Sequence, residues 1–490
     1  MTKILNEWLM DFGGGDLPAL PVEKIAADSR ELDAKTWWIA RAGISSHALD
    51  YYNENIECAG VIYEPPYQNP PQNAFALPAL ATDYGNIAAN FFDFPSKKLR
   101  LIGVTGTDGK SSLAYFLAQA TNGAMIGTIG NGKIAALVAS NNTTPDAFSN
   151  QKLLAEFAAD GIQTVAMEVS SHALDQNRVQ GLCFDTVVFS NLSRDHFDYH
   201  GNQENYFQAK AKLFQRPSRF AVINIDDAFG RRLLAEKLVQ AGEICTISTR
   251  RQERLDMAHH HIAAKNILQN SSGISFELVY FAANTQQAET VEINSALWGR
   301  FNVDNLCNAA ACLLAGGLKL SEVAEKLRQI RGATGRAEIF PFSQNRRAIV
   351  DYAHTPKALE SVISGIRDHI SGKLTVVFGC GGDRDRGKRP LMAQVAEKLA
   401  DRIIITNDNP RSEEPEQIIV EIKQGLENTQ DAVVIFDRKS AIEAGLASLQ
   451  EGDSLLVAGK GHEDYQIIAG KKIHFSDQEV IREFIATALV

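Results

Sequence analysis

The stretch LIGVTGTDGKSS (101–112) decides how the rest of the chain is read. It opens on an apolar, strand-like run, 101–104, after which GVTGTDGKSS (103–112) supplies glycines, a lysine and two serines. Glycines let a backbone fold around a polyphosphate, Lys110 can reach β- and γ-phosphates, and Ser111 can ligate Mg2+. A helix is expected next, because Leu113, Phe116, Leu117 and Ala120 stand at i, i+3, i+4 and i+7. The common pattern G-x-x-x-x-G-K-[ST] is not met as written: five residues separate Gly103 from Gly109, and Val104 holds the first glycine's place. A Gly-rich turn with an incidental lysine is the plain alternative. Strand, GKS and amphipathic helix in that order favour a nucleotide loop built from Gly106, Thr107, Asp108, Gly109, Lys110, Ser111 and Ser112.

Outward from this loop, apolar runs alternate with helical patterns: 164–169, 186–190 and 221–225 follow it, and a second series, 348–352, 374–379, 402–406, 432–436 and 454–459, begins after RGATGRAE. Such alternation predicts parallel sheets covered by helices, with ligands at the carboxyl ends of the strands. Ahead of the loop, a mixed segment carries the Pro-rich EPPYQNPPQN (64–73) and ends at FDFPSKKLR. The expected architecture is therefore α/β in three domains. A smaller N-terminal α/β domain spans 1–98, a central P-loop-type parallel sheet with helices 99–337, and a Rossmann-like α/β domain 338–490.

Of 490 residues, 49 are basic and 59 acidic, for a net charge of −10, and 45% are hydrophobic. That composition belongs to a folded protein, and its sign argues against nucleic-acid or membrane-surface binding. No apolar run is long enough to span a bilayer, and Glu7 and Asp11 interrupt the start where a signal peptide would be apolar. Six cysteines without a CxxC pair give neither a zinc spacing nor a disulfide scaffold. A cytoplasmic protein is expected.

Glu168 ends one predicted strand, while His196 lies in NLSRDHFDYHG and Lys210 in YFQAKAKLF. Singly, these residues read as a helix cap, a loop histidine and a solvated lysine. Gathered at one rim beside the phosphate loop, they could make a divalent-metal site with hard ligands suited to Mg2+. The run His259, His260, His261 is expected in a surface strand or turn, without a metal.

GTDGKSS, NNTTP (141–145), MEVSSHAL (167–174), SRDHFDYHG (193–201), YFQAK (206–210), GRFNVDNLCNAAA (299–311), DYAHTP (351–356), GGDRDRGKRP (381–390), DNPR (408–411) and AGKGHEDYQ (458–466) resemble, in order, the motifs of the Mur ligases of peptidoglycan synthesis. The resemblance implies ATP-dependent amide formation on UDP-MurNAc-L-Ala-D-Glu through an acyl phosphate, with ATP and Mg2+ as cofactors, by a monomer. It implies that Lys110 holds the transferring phosphate, that Ser111 and Glu168 ligate one Mg2+, and that His196 and a carbamylated Lys210 ligate a second. Asn302 and Asn305 would lie near adenine, with Arg336, Asp351 and His354 approaching the nucleotide from the hinge and the third domain. Ser29, Ser45 and Ser46 would face uridine, and Asn142, Thr143, Thr144, Ser170, Gln176 and Arg178 the muramoyl peptide. In GISSHALDYY (43–52), His47 stands where the family pattern has Asp.

Three predicted strands, 374–378, 402–406 and 454–458, run into polar loops that would place Arg389, Asp408, Asn409, Pro410, Arg411, Gly459 and Glu463 on one rim. Two arginines and a carboxylate suit a zwitterion with an extra carboxylate, and DNPR resembles the meso-diaminopimelate-adding form of the family. Solvated surface charges are the plain alternative. A lysine-adding ligase, a folylpolyglutamate synthase-like ligase and a nucleotide switch without turnover are the competing readings.

Overall fold

A computed structural model describes residues 2–43, 46–53, 55–140, 142–250, 254–430 and 432–488. The run RLIGVT forms the strand Arg100–Thr105, buried from Leu101 onward, in the middle of a ten-stranded sheet. Its parallel neighbours are Thr164–Glu168 on one side and Thr186–Phe189 on the other. Strands buried on both faces read as continuous apolar runs, and each face here is covered by helices. Lys110–Thr121 and Phe301–Ala315 pack against one face around Leu117, Leu306 and Leu313, while the other is filled by Leu154, Phe207 and Phe214.

The α/β expectation holds, with antiparallel additions at both edges of the central sheet, Gly130–Lys133 pairing with Ala124–Gly127 at one of them. Beyond Ala241–Ser248 the sheet continues through His260–Asn270, Gly273–Phe281 and Ala288–Ser295, the last two joined antiparallel. This extension also corrects the surface placement of the histidine run. His261 is 0% exposed, its Nδ1 lies 2.8 Å from Thr246 Oγ1, and its Nε2 is buried without a partner. Burial in the sheet pushes its pKa down to about 4.

The third sheet has six strands in the order Glu338–Phe342, Arg346–Asp351, Ser454–Ala458, Leu374–Phe378, Arg402–Ile405, Ala432–Val434. From Leu374–Phe378 the chain moves outward through two parallel strands and then returns to insert Ser454–Ala458 on the opposite side. The carboxyl ends of these strands therefore border a topological switch point, where adjacent loops diverge and leave a crevice. The N-terminal sheet has four parallel strands, from Lys24–Ala26 to Ala74–Ala76, built around the buried Trp37 and Trp38. Helix Leu80–Phe91 docks this sheet onto the central one, with Tyr84 stacked 6.2 Å from Phe148 and Gln180 Nε2 donating to Thr82 O at 2.6 Å. Among the described residues no helix is long and apolar enough to cross a membrane.

Candidate active site

The phosphate loop turns between the central strand and helix Lys110–Thr121 with Gly106 at φ +154° and Gly109 at φ +85°. A Cβ at Gly106 would lie 1.9 Å from Ser190 Oγ, and one at Gly109 2.7 Å from Asn305 Oδ1, so only glycine allows this approach. The turn just past the neighbouring strand Thr186–Phe189 supplies its buttress: Ser190 Oγ donates to Asp108 O at 2.8 Å, and Asp108 N donates to Asn191 Oδ1 at 2.9 Å. Lys110 curls back over the loop and donates to Gly106 O at 2.9 Å and Thr107 O at 2.7 Å. Burial raises the Asp108 carboxyl pKa, opposed by Lys110. Ser112 is buried in the first turn of the helix.

Glu168, 1% exposed at the end of its strand, accepts from Ser111 Oγ at 2.9 Å and from Thr128 N at 2.7 Å. Lys210, also 1% exposed, donates to the same Gly106 carbonyl at 2.8 Å, so two lysines converge on one oxygen. Burial first, and then the charge of Lys110, hold the Lys210 amine well below its ordinary pKa. His196 sits at φ +55° with Nε2 3.3 Å from Asp195 Oδ2 and its ring 4.8 Å from that of His172. Loss of water around the ring lowers its pKa to about 4, against the pull of Asp195. Among the described residues no three His, Cys, Asp or Glu side chains form a metal cluster. A divalent ion here would need Ser111, a phosphate or a modified lysine to complete its shell.

The junction leading into the C-terminal segment closes over this loop. Arg336 donates from Nη2 to Ser111 Oγ at 3.0 Å and lies 4.5 Å over the Tyr352 ring, while its Nε is buried without a partner. Asp351 accepts from Ala337 N at 2.7 Å and Ala353 N at 2.8 Å, which commits its carboxylate to shaping the domain junction. His354 is within electrostatic reach of Asp108 and Asp195, and its carbonyl accepts from Lys388 Nζ at 2.8 Å. Asn302 and Asn305 are buried at the start of Phe301–Ala315 and bond each other at 3.0 Å, with Asn305 against Gly109.

On the other flank, Thr144 Oγ1 donates to Glu168 O at 2.8 Å and lies 3.3 Å from Ser170 Oγ, which caps Ser171–Asp175. Arg178 reaches Thr144 O at 3.2 Å and Gln176 Oε1 at 2.6 Å, Thr143 Oγ1 accepts from Thr128 Oγ1 at 3.0 Å, and Asn142 is exposed. In the N-terminal domain Ser29 begins a turn whose cap is Asp28, and the neighbouring Glu31 pairs with Lys152 of the central domain at 2.6 Å. Ser46 Oγ lies 3.4 Å from Tyr51 OH; Ser45 is outside the described residues. His47 performs the capping work of an aspartate, its Nδ1 accepting from Leu49 N at 3.0 Å.

At the switch point of the third sheet, three loops interlock. Asn409 O accepts from Gly382 N at 2.9 Å, Arg411 Nη1 donates to Gly382 O at 2.7 Å, and Asn409 Nδ2 donates to Glu463 Oε2 at 3.1 Å. Pro410 presses its carbonyl on Gly382, and Gly459, at φ +118°, admits Asp408 Oδ2 to 2.7 Å from where a Cβ would stand. Arg411 is half-buried at φ +56°, a strained value for a non-glycine residue. Arg389 departs from the expectation. It is 0% exposed and its guanidinium pairs with Glu413 at 2.9 Å, Glu421 at 2.7 Å and Gly381 O at 3.1 Å, while its Nε is buried without a partner, so its charge is turned inward.

The Mur ligase middle domain matches residues 104–313, and the Mur ligase glutamate ligase domain matches residues 335–461. A Coxiella burnetii protein named UDP-N-acetylmuramoyl-L-alanyl-D-glutamate--2,6-diaminopimelate ligase is 39% identical over 470 residues, 94% of each chain. The chain belongs to the Mur ligase family. A Pseudomonas aeruginosa protein of the same name is 40% identical to this Mur ligase, over 95% of this chain and 96% of its own. A solved structure titled with that activity covers 100% of both chains at 33% identity and a TM-score of 0.68.

Several residues of this Mur ligase that line the same clefts escaped the sequence reading. Thr128 carries no motif, yet it holds Glu168. Lys460, 0% exposed, pairs with Glu463 at 3.1 Å, and the charged cluster GKGHED was its signal. Arg384 is an exposed arginine whose Cγ, like the Arg411 guanidinium, lies beside Gly381, and GGDRDRGKRP holds four basic residues that a reading by motif does not separate.

Proposed function

We propose that this Mur ligase joins meso-diaminopimelate to the D-glutamyl carboxylate of UDP-MurNAc-L-Ala-D-Glu, driven by ATP, in three domains spanning 1–98, 99–337 and 338–490. The γ-phosphate passes to the carboxylate, the incoming amine attacks the acyl phosphate, and the tetrahedral intermediate expels phosphate. Such transfer is mainly positioning and charge neutralisation. Lys110 and the loop amides hold the phosphates, and Arg336 brings a guanidinium from the junction to the Ser111 hydroxyl. Ser111 and Glu168, oxygen donors that already converge at 2.9 Å, fit Mg2+, and His196 with Lys210 would hold a second ion. Mg2+ bound there supplies neutralisation of the phosphate charge. Burial and the neighbouring charge of Lys110 favour the neutral form of the Lys210 amine, the form that can take up CO2 as a carbamate, releasing one proton and gaining oxygen donors.

The observation that carries the choice of amino acid is the pair Arg411 and Arg384 beside Gly381 at the switch-point crevice. Guanidinium binds carboxylate in a fork, so the distal carboxylate of diaminopimelate is recognised and lysine, which lacks it, is refused by about 10⁴-fold. The UDP-linked substrate and ATP support a cytoplasmic site for this reaction. Purified protein is expected to release phosphate from ATP only when the UDP-dipeptide and diaminopimelate are both present. Equal turnover with lysine would overturn the specificity, and turnover with a folate substrate and glutamate would overturn the function.

A further inference from the structure

Arg438 and Asp477 form an ion pair with both side chains 0% exposed, joined by Nε to Oδ1 at 2.8 Å and Nη2 to Oδ2 at 2.8 Å. The remaining donors of the guanidinium reach two backbone carbonyls, Ala458 O from Nη2 at 3.1 Å and Asn407 O from Nη1 at 3.3 Å. Ala458 is the last residue of Ser454–Ala458, and Asn407 follows Arg402–Ile405. Those strands flank Leu374–Phe378, so the guanidinium spans the end of the middle strand and ties its two neighbours together. The residues just past the tied carbonyls are Asp408, Asn409, Pro410 and Arg411 on one side and Gly459 to Glu463 on the other.

Stability does not account for this arrangement. Arg438 opens helix Arg438–Ala447, where a cation opposes the helix dipole, and a fully buried pair loses more hydration than an apolar pair of the same volume would. What a buried fork does supply is a fixed distance. The two loops it tethers meet side by side, with Asn409 donating to Glu463 at 3.1 Å, and their facing groups must match the charged groups at one end of a zwitterion.

We propose that Arg438 and Asp477 are positioning residues for the amino-acid pocket, setting the spacing between the 408–411 and 459–463 loops. The inference rests on the reading of that pocket as the diaminopimelate site. The test is steady-state kinetics on the full-length protein carrying Arg438→Met together with Asp477→Leu, with thermal melting alongside. The double variant is expected to melt close to the parent, to raise KM for diaminopimelate about tenfold or more, and to leave KM for ATP and for the UDP-dipeptide within about twofold. A well-folded double variant with a parental KM for diaminopimelate, or with all three KM values raised equally, overturns the proposal. Should that variant not fold, Arg438→Lys decides in its place. Lysine keeps the charge and one bond to Asp477 but cannot span both carbonyls, so the same selective rise is expected and a parental KM overturns it. A parent that fails to use diaminopimelate at all would sink the functional reading instead.

Discussion

Arg411 and Arg389 lie in neighbouring loops of one domain, and their surroundings give them opposite work. Arg411 is half-buried beside the crevice with Nη1 engaged on carbonyls, whereas Arg389 is closed in by Glu413 and Glu421. Hydrogen bonds to charged groups contribute about 1.5–3 kcal/mol, so Arg411→Ala should raise KM for diaminopimelate roughly 10- to 100-fold and leave KM for ATP nearly unchanged. Equal losses in both would assign Arg411 a structural role. Arg389→Ala should instead lower unfolding stability by about 3 kcal/mol, measured by denaturant titration, because two carboxylates lose their buried partner. The inward position of Arg389 was legible in its helix: Arg389, Met392, Ala393 and Ala396 share one stripe at i, i+3, i+4 and i+7, and all four are buried. A motif read as a string of charges hid a periodicity that fixed which charge turns inside.

At the scale of elements, the parallel strands were plain because apolar runs between helices need cover on both faces. The antiparallel extension, 260–295, was not: the strands alternate, and HHHIAAKNILQN mixes histidines with apolar residues. That extension carries a pH dependence. His261 is neutral in the fold with a pKa of about 4, while in an unfolded chain it titrates near 6.5. Between these values the unfolded state binds the extra proton, so stability falls as pH drops from 6.5 toward 4, by about 2 kcal/mol at pH 5. His261→Gln should flatten this acid limb in melts taken from pH 7 to pH 5. A variant with the parental slope would show that the ring does not titrate with unfolding.

The whole molecule works only if the third domain reaches the phosphate loop of the second. Gly335 allows this: at φ +68° it packs so tightly that a Cβ would stand 2.2 Å from Gly461 C and His462 N. Gly335→Ala should therefore hold the domains apart, lowering kcat by about tenfold or more while ADP binding to the central domain, followed by calorimetry, persists. A parental kcat would mean that the junction tolerates the added methyl group.

The order of motifs, the nucleotide loop and the α/β character were contained in the sequence, because each depends on neighbours a few residues apart: glycines where backbone must approach phosphate, apolar runs where a strand is covered twice. Which arginine is turned inside by two glutamates, which carboxylate is consumed by backbone amides as Asp351 is, and how Arg438 ties two loops across a strand were settled only by tertiary packing. A buried charge takes its role from partners tens of residues away, and only the folded chain brings those partners within reach.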